Sequence, residues 1–522
     1  MMHQYLQGVT LLAGMLFQAA GSTDSQDRPE RVQTGLPERS FDVGQTRTST
    51  RGRPLLELSV EQAAVLALRN NRDLRVRELA PVIAGTFERI ERGRFEPELF
   101  AEGSFFQENA SQVARATEEQ FDVQGRSTDV RVGVRKLFAT GTELEAVVRH
   151  EYDDSDRTPE QQQATVGLTV TQALLRGLGP AVNLASVRQA ELEEVASTHE
   201  LRAFVESLLA RTETAYWDFV RATKEIEVFE SSVEVGRREL GEIEGRIAVG
   251  TTPELRAAPA RAEVARQQQA LIDAEARLEA ARLRLVRLVN PGNRGRLNGS
   301  VVATSRPRIR PNPLGSVRDR IRLAERNRPE LSEAQLRLEQ DRLQVVVTRN
   351  GLLPQLDLFV SLAKTGFEDA ATGAFGALGQ PTYEVRTGLS LSHALSNRAA
   401  GAAKTQAEAT RAQRVAAIEN LRQVVRLDVR LAVNEAQRAA AQISASATTR
   451  ALRAETFRAE KERLEVGAGT ALAVAQAQRD LLASRIDEVR AVVDYRQALV
   501  NLYLAEGTLL ARRGVTVEPV GP

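Results

Sequence analysis

The sequence predicts a mostly α-helical protein with a membrane β-barrel part. It reads as two copies of one unit, in which a helix leads into strands and then into a long coiled helical hairpin. Three observations predict this. First, apolar or small residues recur at Ile226, Phe229, Val233, Gly236, Leu240, Ile243 and Ile247, in alternating steps of three and four. That spacing is a heptad seam, which holds one helix face against a partner helix. After the turn Val249-Gly250-Thr251-Thr252-Pro253 the spacing continues through Leu255, Ala258, Ala262, Ala265, Gln269, Ile272, Ala276, Glu279, Leu283 and Val286. Second, the hairpin returns: Arg246–Leu255 aligns with Arg463–Leu472 at one constant offset, so that Gly250 matches Gly467. Repeats define the unit from which an architecture is built. Third, short runs alternate apolar and polar residues with a period of two, the mark of a strand with two unlike faces.

Composition narrows the class. The 522 residues carry 70 Lys+Arg against 69 Asp+Glu, so no net charge draws the chain to nucleic acid or another polyanion. The absence of Cys excludes disulfides, a thiol nucleophile and a lipid-modified cysteine in this sequence. No apolar run reaches the roughly eighteen residues of a membrane helix. Insertion into a membrane would therefore have to use strands.

In chain order, Val9–Ala20 is a short apolar run followed by small residues, and 1–21 reads as a secretory signal peptide. Residues 22–54 are polar and without periodicity, and read as a disordered linker. The first repeat spans 55–292 and opens with a helix over 58–94. Ser59 is its N-cap and Gln62 stands three residues on, a capping box. This region has a second copy: Ser59, Leu66, Asn70, Leu74, Arg92, Pro97 and Leu99 correspond to Ser316, Leu323, Asn327, Leu331, Arg349, Pro354 and Leu356 at one offset. Strands are expected over 97–107, 129–138, 142–152 and 164–175, then a helical hairpin over 181–290. Glu108–Gly125 and Glu368–Gln380 read as polar loops at the strand ends. Asn290-Pro291-Gly292 stops the hairpin, and 293–315 links the halves. The second repeat, 316–512, has a helix over 316–350, strands over 354–364 and 383–394, and a hairpin over 398–512.

The strands matter most for function. Leu356, Leu358, Val360 and Leu362 alternate with polar neighbours, as do Val385, Leu389 and Leu391, and Val166, Leu168 and Val170. Each run has about the ten residues that a tilted membrane strand needs. A soluble sandwich is the alternative, but each half has too few strands to enclose a core. A closed barrel shared between chains removes the exposed edges. Arg131, Arg135, Asp357, Glu384 and Arg386 lie on the polar faces and are candidates for the lining of an aqueous lumen. The pair 129–152, turning at Ala139-Thr140-Gly141, leaves two readings: two more barrel strands, or a hairpin projecting outside the barrel.

No enzyme is expected. His3, His150, His199 and His393 have no metal-ligand spacing, no glycine-rich phosphate loop follows a strand, and no cofactor is implied. Asp153-Asp154 and Glu193-Glu194 read as solvated faces. Ala215-Tyr216-Trp217-Asp218 holds the sole Trp and reads as a packing knob.

With both copies laid out, the chain resembles the TolC family of outer-membrane efflux channels. The resemblance covers roughly Leu56–Leu510. It rests on Leu58–Asn71, Gly167–Leu175, Ala215-Tyr216-Trp217, and the two Val-Gly tips with the helices that follow them. It implies a homotrimer in the outer membrane, extending into the periplasm as a tunnel. The lipid-facing barrel is shared between protomers, and the partners are a periplasmic adaptor and an inner-membrane transporter. It implies docking at the tips, Val249, Gly250, Thr251 and Thr252 in one hairpin and Val466, Gly467, Ala468, Gly469 and Thr470 in the other. Relatives carry aspartates six and nine residues past the second tip glycine, which constrict the periplasmic entrance. Here those positions are Ala473 and Gln476, so that acidic ring is missing. The matching positions after the first tip are Arg256 and Pro259, with Glu254 beside them. The alternatives are a trimeric coiled-coil scaffold and, within the channel reading, type I protein secretion rather than small-molecule efflux.

Overall fold

A computed structural model describes residues 47–48, 54–113, 120–156, 158–251, 253–290, 300–306 and 313–516. The expected signal peptide and most of the first linker lie outside these residues. The first repeat begins with β1 (Arg47–Thr48), β2 (Pro54–Leu58), α1 (Val60–Asn70), α2 (Arg72–Arg77) and α3 (Leu79–Gly93). Four strands follow: β3 (Glu98–Val113), β4 (Gln120–Leu137), β5 (Thr142–Ser155) and β6 (Thr158–Ala173). Next come α4 (Pro180–Asn183), the rod α5 (Ala185–Ala248), a 3-10 turn (Glu254–Arg256) and the return helix α6 (Ala257–Val289). β7 (Ser300–Ala303) leads to the second repeat: α7 (Val317–Asn327), α8 (Pro329–Asn350), β8 (Gln355–Glu368), α9 (Ala371–Ala377) and β9 (Glu384–Ser392). The chain closes with the rod α10 (Arg398–Glu465), its return helix α11 (Ala471–Ala505) and α12 (Leu509–Arg512).

Local chemistry explains the breaks. Ser59 accepts a hydrogen bond from the Gln62 amide (3.1 Å), and the Gln62 side chain accepts from the Ser59 amide (2.9 Å), closing the capping box. The expected single helix over 58–94 is in fact three. Asn71 ends α1 in extended conformation and its side chain caps the next turn by accepting from the Leu74 amide at 3.1 Å. The helix expected over 316–350 is likewise broken before Pro329, because the residue preceding a proline is pushed out of helical geometry. Two linker expectations need correcting. Arg47–Thr48 pairs with β2, and within 293–315 β7 lies parallel to β2, from Leu55 opposite Ser300 to Leu58 opposite Ala303.

The two rods have 64 and 68 residues, each about 100 Å at 1.5 Å per residue. Toward the strands α3, α5, α8 and α10 form one layer in that order. Arg92 of α3 bonds Glu191 of α5 (2.9 Å), Arg337 of α8 bonds Glu193 (3.1 Å) and Glu200 (2.6 Å) of α5, and Arg414 of α10 bonds Asp341 of α8 (3.0 Å). Glu193, expected on a solvated face, is therefore a cross-helix partner. Toward the tips each rod packs on its own return helix instead.

The seam on α6 is out of phase with the sequence expectation. Ala257, Val264, Gln267, Ala274, Ala281, Leu285 and Val289 are buried. Of the expected stripe only Val286 is buried, while Leu255, Ala258, Ala262, Ala265, Gln269, Ile272, Ala276, Glu279 and Leu283 are exposed. Both stripes have heptad spacing. The partner rod takes one and leaves the other open.

Glu206 on α5 is buried, and its Oε1 has no hydrogen-bond partner in the structure. Burial pushes its carboxyl up to about 7, with Glu330 adding to the rise and Arg202 opposing it. The folded state therefore holds this proton more tightly than the unfolded chain does. The stability it contributes is complete below about pH 4.5 and is lost as pH rises to about 7, up to ~3 kcal/mol. Glu206→Gln is expected to flatten that dependence. Thermal unfolding midpoints at pH 5 and pH 8 should differ less for the variant than for the parent. An equal pH difference in both would refute the assignment.

Candidate functional site

The six strands β3-β4-β5-β6-β8-β9 form one antiparallel sheet in that order. The pair 129–152 is thus inside the sheet. It is also longer than expected: β3 runs to Val113 and β4 starts at Gln120, so most of the expected loop 108–125 is strand. The expected loop 368–380 contains α9, which packs on β6 and β8, with Ala374 buried and Phe375 stacked on His150 at 6.0 Å.

The registers sort the side chains into two faces. Glu98 lies opposite Arg135 and Glu102 opposite Arg131. Arg135 donates to Glu98 at 2.9 and 3.0 Å, and Arg131 to Glu102 at 2.7 Å. On the next strand Arg149 bonds Asp129 and lies 3.2 Å from Glu151. Farther on, Asp357 accepts from Gln355 (2.8 Å), and Arg386 donates to Glu384 (2.8 Å). All five lumen candidates share this face. The sequence reading missed Glu98, Glu102, Asp129, Arg149 and Glu151. Their period of two is present in the sequence, but only the pairing register brings the opposite charges together.

Glu143 and Glu145 lie on the same face as Arg149. Among the described residues, ten carboxylates (Glu98, Glu102, Glu108, Asp129, Glu143, Glu145, Glu151, Asp153, Asp357, Glu384) thus share this face with four guanidiniums (Arg131, Arg135, Arg149, Arg386), an acidic excess of six. Such solvent-exposed pairs add little to stability, because water and salt screen them. Their importance is the water-facing surface they create.

The opposite face is apolar. Leu99, Val134, Ala146, Leu168, Leu362 and Val385 stand in register, one on each strand. Val130, Val148, Val166, Leu389 and Leu391 extend this band, and all five are exposed. A sheet with one charged face and one bare apolar face suits a wall between water and lipid. Among the described residues no helix is long and apolar enough to cross a membrane.

At the far end, the tips are built alike. Gly250 and Gly467 adopt φ of +75° and +78°, a left-handed conformation that glycine takes without steric cost. Gly250 donates to Ile247 O (2.9 Å) and Thr251 to Arg246 O (3.0 Å); Gly467 donates to Leu464 O (3.1 Å) and Ala468 to Arg463 O (2.8 Å). These paired bonds satisfy the last carbonyls of each rod. Thr470 then caps α11, accepting from the Ala473 amide at 3.2 Å. Val249, Leu255, Val466 and Leu472 are 58–84% exposed around the two turns, an apolar presentation at both tips. Gly469 is half-buried against the Arg463 and Leu464 backbone. Glu254, Pro259 and Gln476 are exposed and Ala473 half-buried. Thr252 and the Arg256 side chain lie outside the described residues.

Among the described residues no group of His, Cys, Asp or Glu could hold a metal ion. Residues 63–291 and 321–508 match the family described as "Outer membrane efflux protein". No curated protein matches. Among solved structures, the chain is similar to a membrane protein from Pseudomonas aeruginosa, with 21% identity, a TM-score of 0.64, and 86% of this chain and 93% of that one covered. It is similar to the outer membrane protein VceC from Vibrio cholerae, at 17% identity and TM-score 0.63, covering 86% and 96%. It is also similar to the MtrE outer membrane channel of Neisseria gonorrhoeae, at 18% identity and TM-score 0.61, covering 86% and 89%. These likenesses concern the fold; the family match extends over most of the sequence, and the chain belongs to the outer membrane efflux protein family.

Proposed function

We propose that three copies of this chain form one passive export channel. Each lends its sheet to a shared barrel in the outer membrane and its rods to a tunnel through the periplasm. Substrate reaches it from an inner-membrane transporter through a periplasmic adaptor. The observation that carries this reading is the sheet itself: an exposed apolar row crosses all six strands, a charged face lies behind it, and both outer edges are unpaired among the described residues. In lipid an open edge leaves backbone groups unsatisfied, so the sheet must close with other copies. Cell fractionation with unheated and heated electrophoresis tests this. Outer-membrane trimers that dissociate on heating are expected. A protein that fractionates as a soluble monomer would refute it.

The adaptor is proposed to dock on the tips. The exposed Val249, Leu255, Val466 and Leu472 support this. Thr251 and Ala468 stand next to the tip glycines, where a large side chain blocks close approach without disturbing the rods. Thr251→Trp combined with Ala468→Trp is expected to abolish export while trimers persist. Retained export in a drug-susceptibility assay would remove the tips from the docking role.

The entrance is proposed to be lined by Arg256, once per protomer, where relatives place acidic residues. Like charges in a narrow mouth strengthen one another's field, so the entrance outweighs the acidic excess of the wide barrel. Planar-bilayer currents are expected to show no cation preference. Arg256→Ala should shift selectivity toward cations, because the barrel face then dominates. Strong cation selectivity in the parent channel, or no change in the variant, would overturn this.

A further inference from the structure

The duplication makes a mismatch visible. β3 and β8 follow the matched prolines Pro97 and Pro354, and β6 and β9 lead into the two rods. The second repeat therefore makes one hairpin, β8–β9, where the first makes four strands. β4 and β5 are the additions: the helix layer beneath the sheet has four members, α3, α5, α8 and α10, and none continues either strand.

The added hairpin is built into the wall at every level. Its registers with β3 and β6 run without interruption through the apolar band. Its periplasmic turn is bolted to the corner where β6 meets the first rod. Asn183 Nδ2 donates to Ala139 O (3.0 Å) and to Gly177 O (2.7 Å). Gly141, with φ of +84°, presses so close to Gly177 O that a Cβ would lie 2.3 Å from it. A hairpin projecting outside the barrel would need neither contact.

Resting on the trimeric channel reading above, the geometry points to a shared barrel of eighteen strands, three protomers of six each, as wide as the tunnel below it. β3 and β9 run in opposite directions, so the free edge of one protomer's β3 accepts the next protomer's β9 as an antiparallel neighbour. Helices pack about 10 Å apart, so four of them occupy ~40 Å of tunnel circumference per protomer. Strands spaced ~4.8 Å apart and tilted by ~40° take ~6.3 Å each, so six occupy ~38 Å and four would occupy only ~25 Å. With six, the barrel backbone is ~36 Å across and continues the tunnel without a neck. With four, the conduit would funnel to ~24 Å at the membrane. The added hairpin thus matches barrel to tunnel. The size limit on cargo passes to the helical end, and the charged wall suits bulky hydrophilic solutes.

Two measurements on trimers in lipid nanodiscs test this. Single-particle imaging is expected to show eighteen strands. Because the chain has no Cys, single cysteines report their surroundings cleanly. Val147→Cys, on the charged face, should react with a membrane-impermeant maleimide, whereas Val148→Cys and Leu362→Cys should react only with a lipid-soluble one. Twelve strands, or Val148→Cys reacting as fast as Val147→Cys while Leu362→Cys stays protected, would overturn the inference and leave the channel reading intact. Aqueous labelling of Leu362→Cys would overturn both.

Discussion

Leu358→Arg and Leu389→Arg are each expected to abolish barrel assembly. The two leucines lie directly opposite one another on β8 and β9, on the bare apolar face. An arginine near the middle of a bilayer costs about 2–4 kcal/mol on this kind of face, and the cost falls toward the interfaces. In the proposed trimer it is incurred three times in one cooperative structure. The contrast with the other face makes the test specific. Ser390 stands opposite Asp357, so Ser390→Arg gains a carboxylate partner and should assemble normally. Ser361 stands opposite Arg386 and shares a hydroxyl contact with Thr169 at 3.0 Å. Ser361→Arg therefore places like charges side by side, a penalty of about 0.2–1 kcal/mol. It should assemble with reduced yield, restored by Arg386→Ser. Heat-modifiable trimers in the outer-membrane fraction are the readout. Full assembly of both leucine variants would mean that this face does not meet lipid.

The faces of β8 and β9 were legible because a period of two needs no partner to be read. The tips were legible for a similar reason, since a local turn with its own glycine recurs intact 217 residues later. What escaped the sequence depended on a neighbour. On α6 two stripes share one spacing, and only the position of α5 selects Ala274 over Ile272. The carboxylates of the charged face look ordinary until the register brings Glu98 to Arg135. β7 sat inside a proline-rich stretch that reads as linker, and only pairing with β2, some 245 residues away, makes it a strand. Length depends on partners as well: β4 has 18 residues because β3 and β5 pair with it beyond the apolar band. A single-chain pattern shows none of these partners.

That dependence on distant partners is sharpest at Tyr216, where the second large effect is expected. The sequence marks Tyr216-Trp217 as a packing knob, and both are buried. Their rings meet edge to face at 5.3 Å, among Leu58, Val60, Phe219, Val220 and Leu285. The hydroxyl does more than pack. It donates to Leu58 O at 3.0 Å and accepts from the Ser305 amide at 3.0 Å. One side chain on the first rod thus ties down the end of β2 and the segment just after β7, joining the start of the first repeat to the bridge between repeats. Tyr216→Ala removes a fully buried ring and should cost about 3–5 kcal/mol. Tyr216→Phe keeps the ring but strands the Ser305 amide. Leu58 O still accepts from Thr304 N at 2.9 Å, so the loss should be about 1–3 kcal/mol. Hydrogen exchange separates the two contributions. Tyr216→Phe should speed exchange at Ser305 and along the β2–β7 pairing while the rods stay protected. Tyr216→Ala should also expose α1 and the middle of α5. If Tyr216→Phe leaves exchange at Ser305 unchanged, the hydroxyl is not what fastens the bridge to the rod.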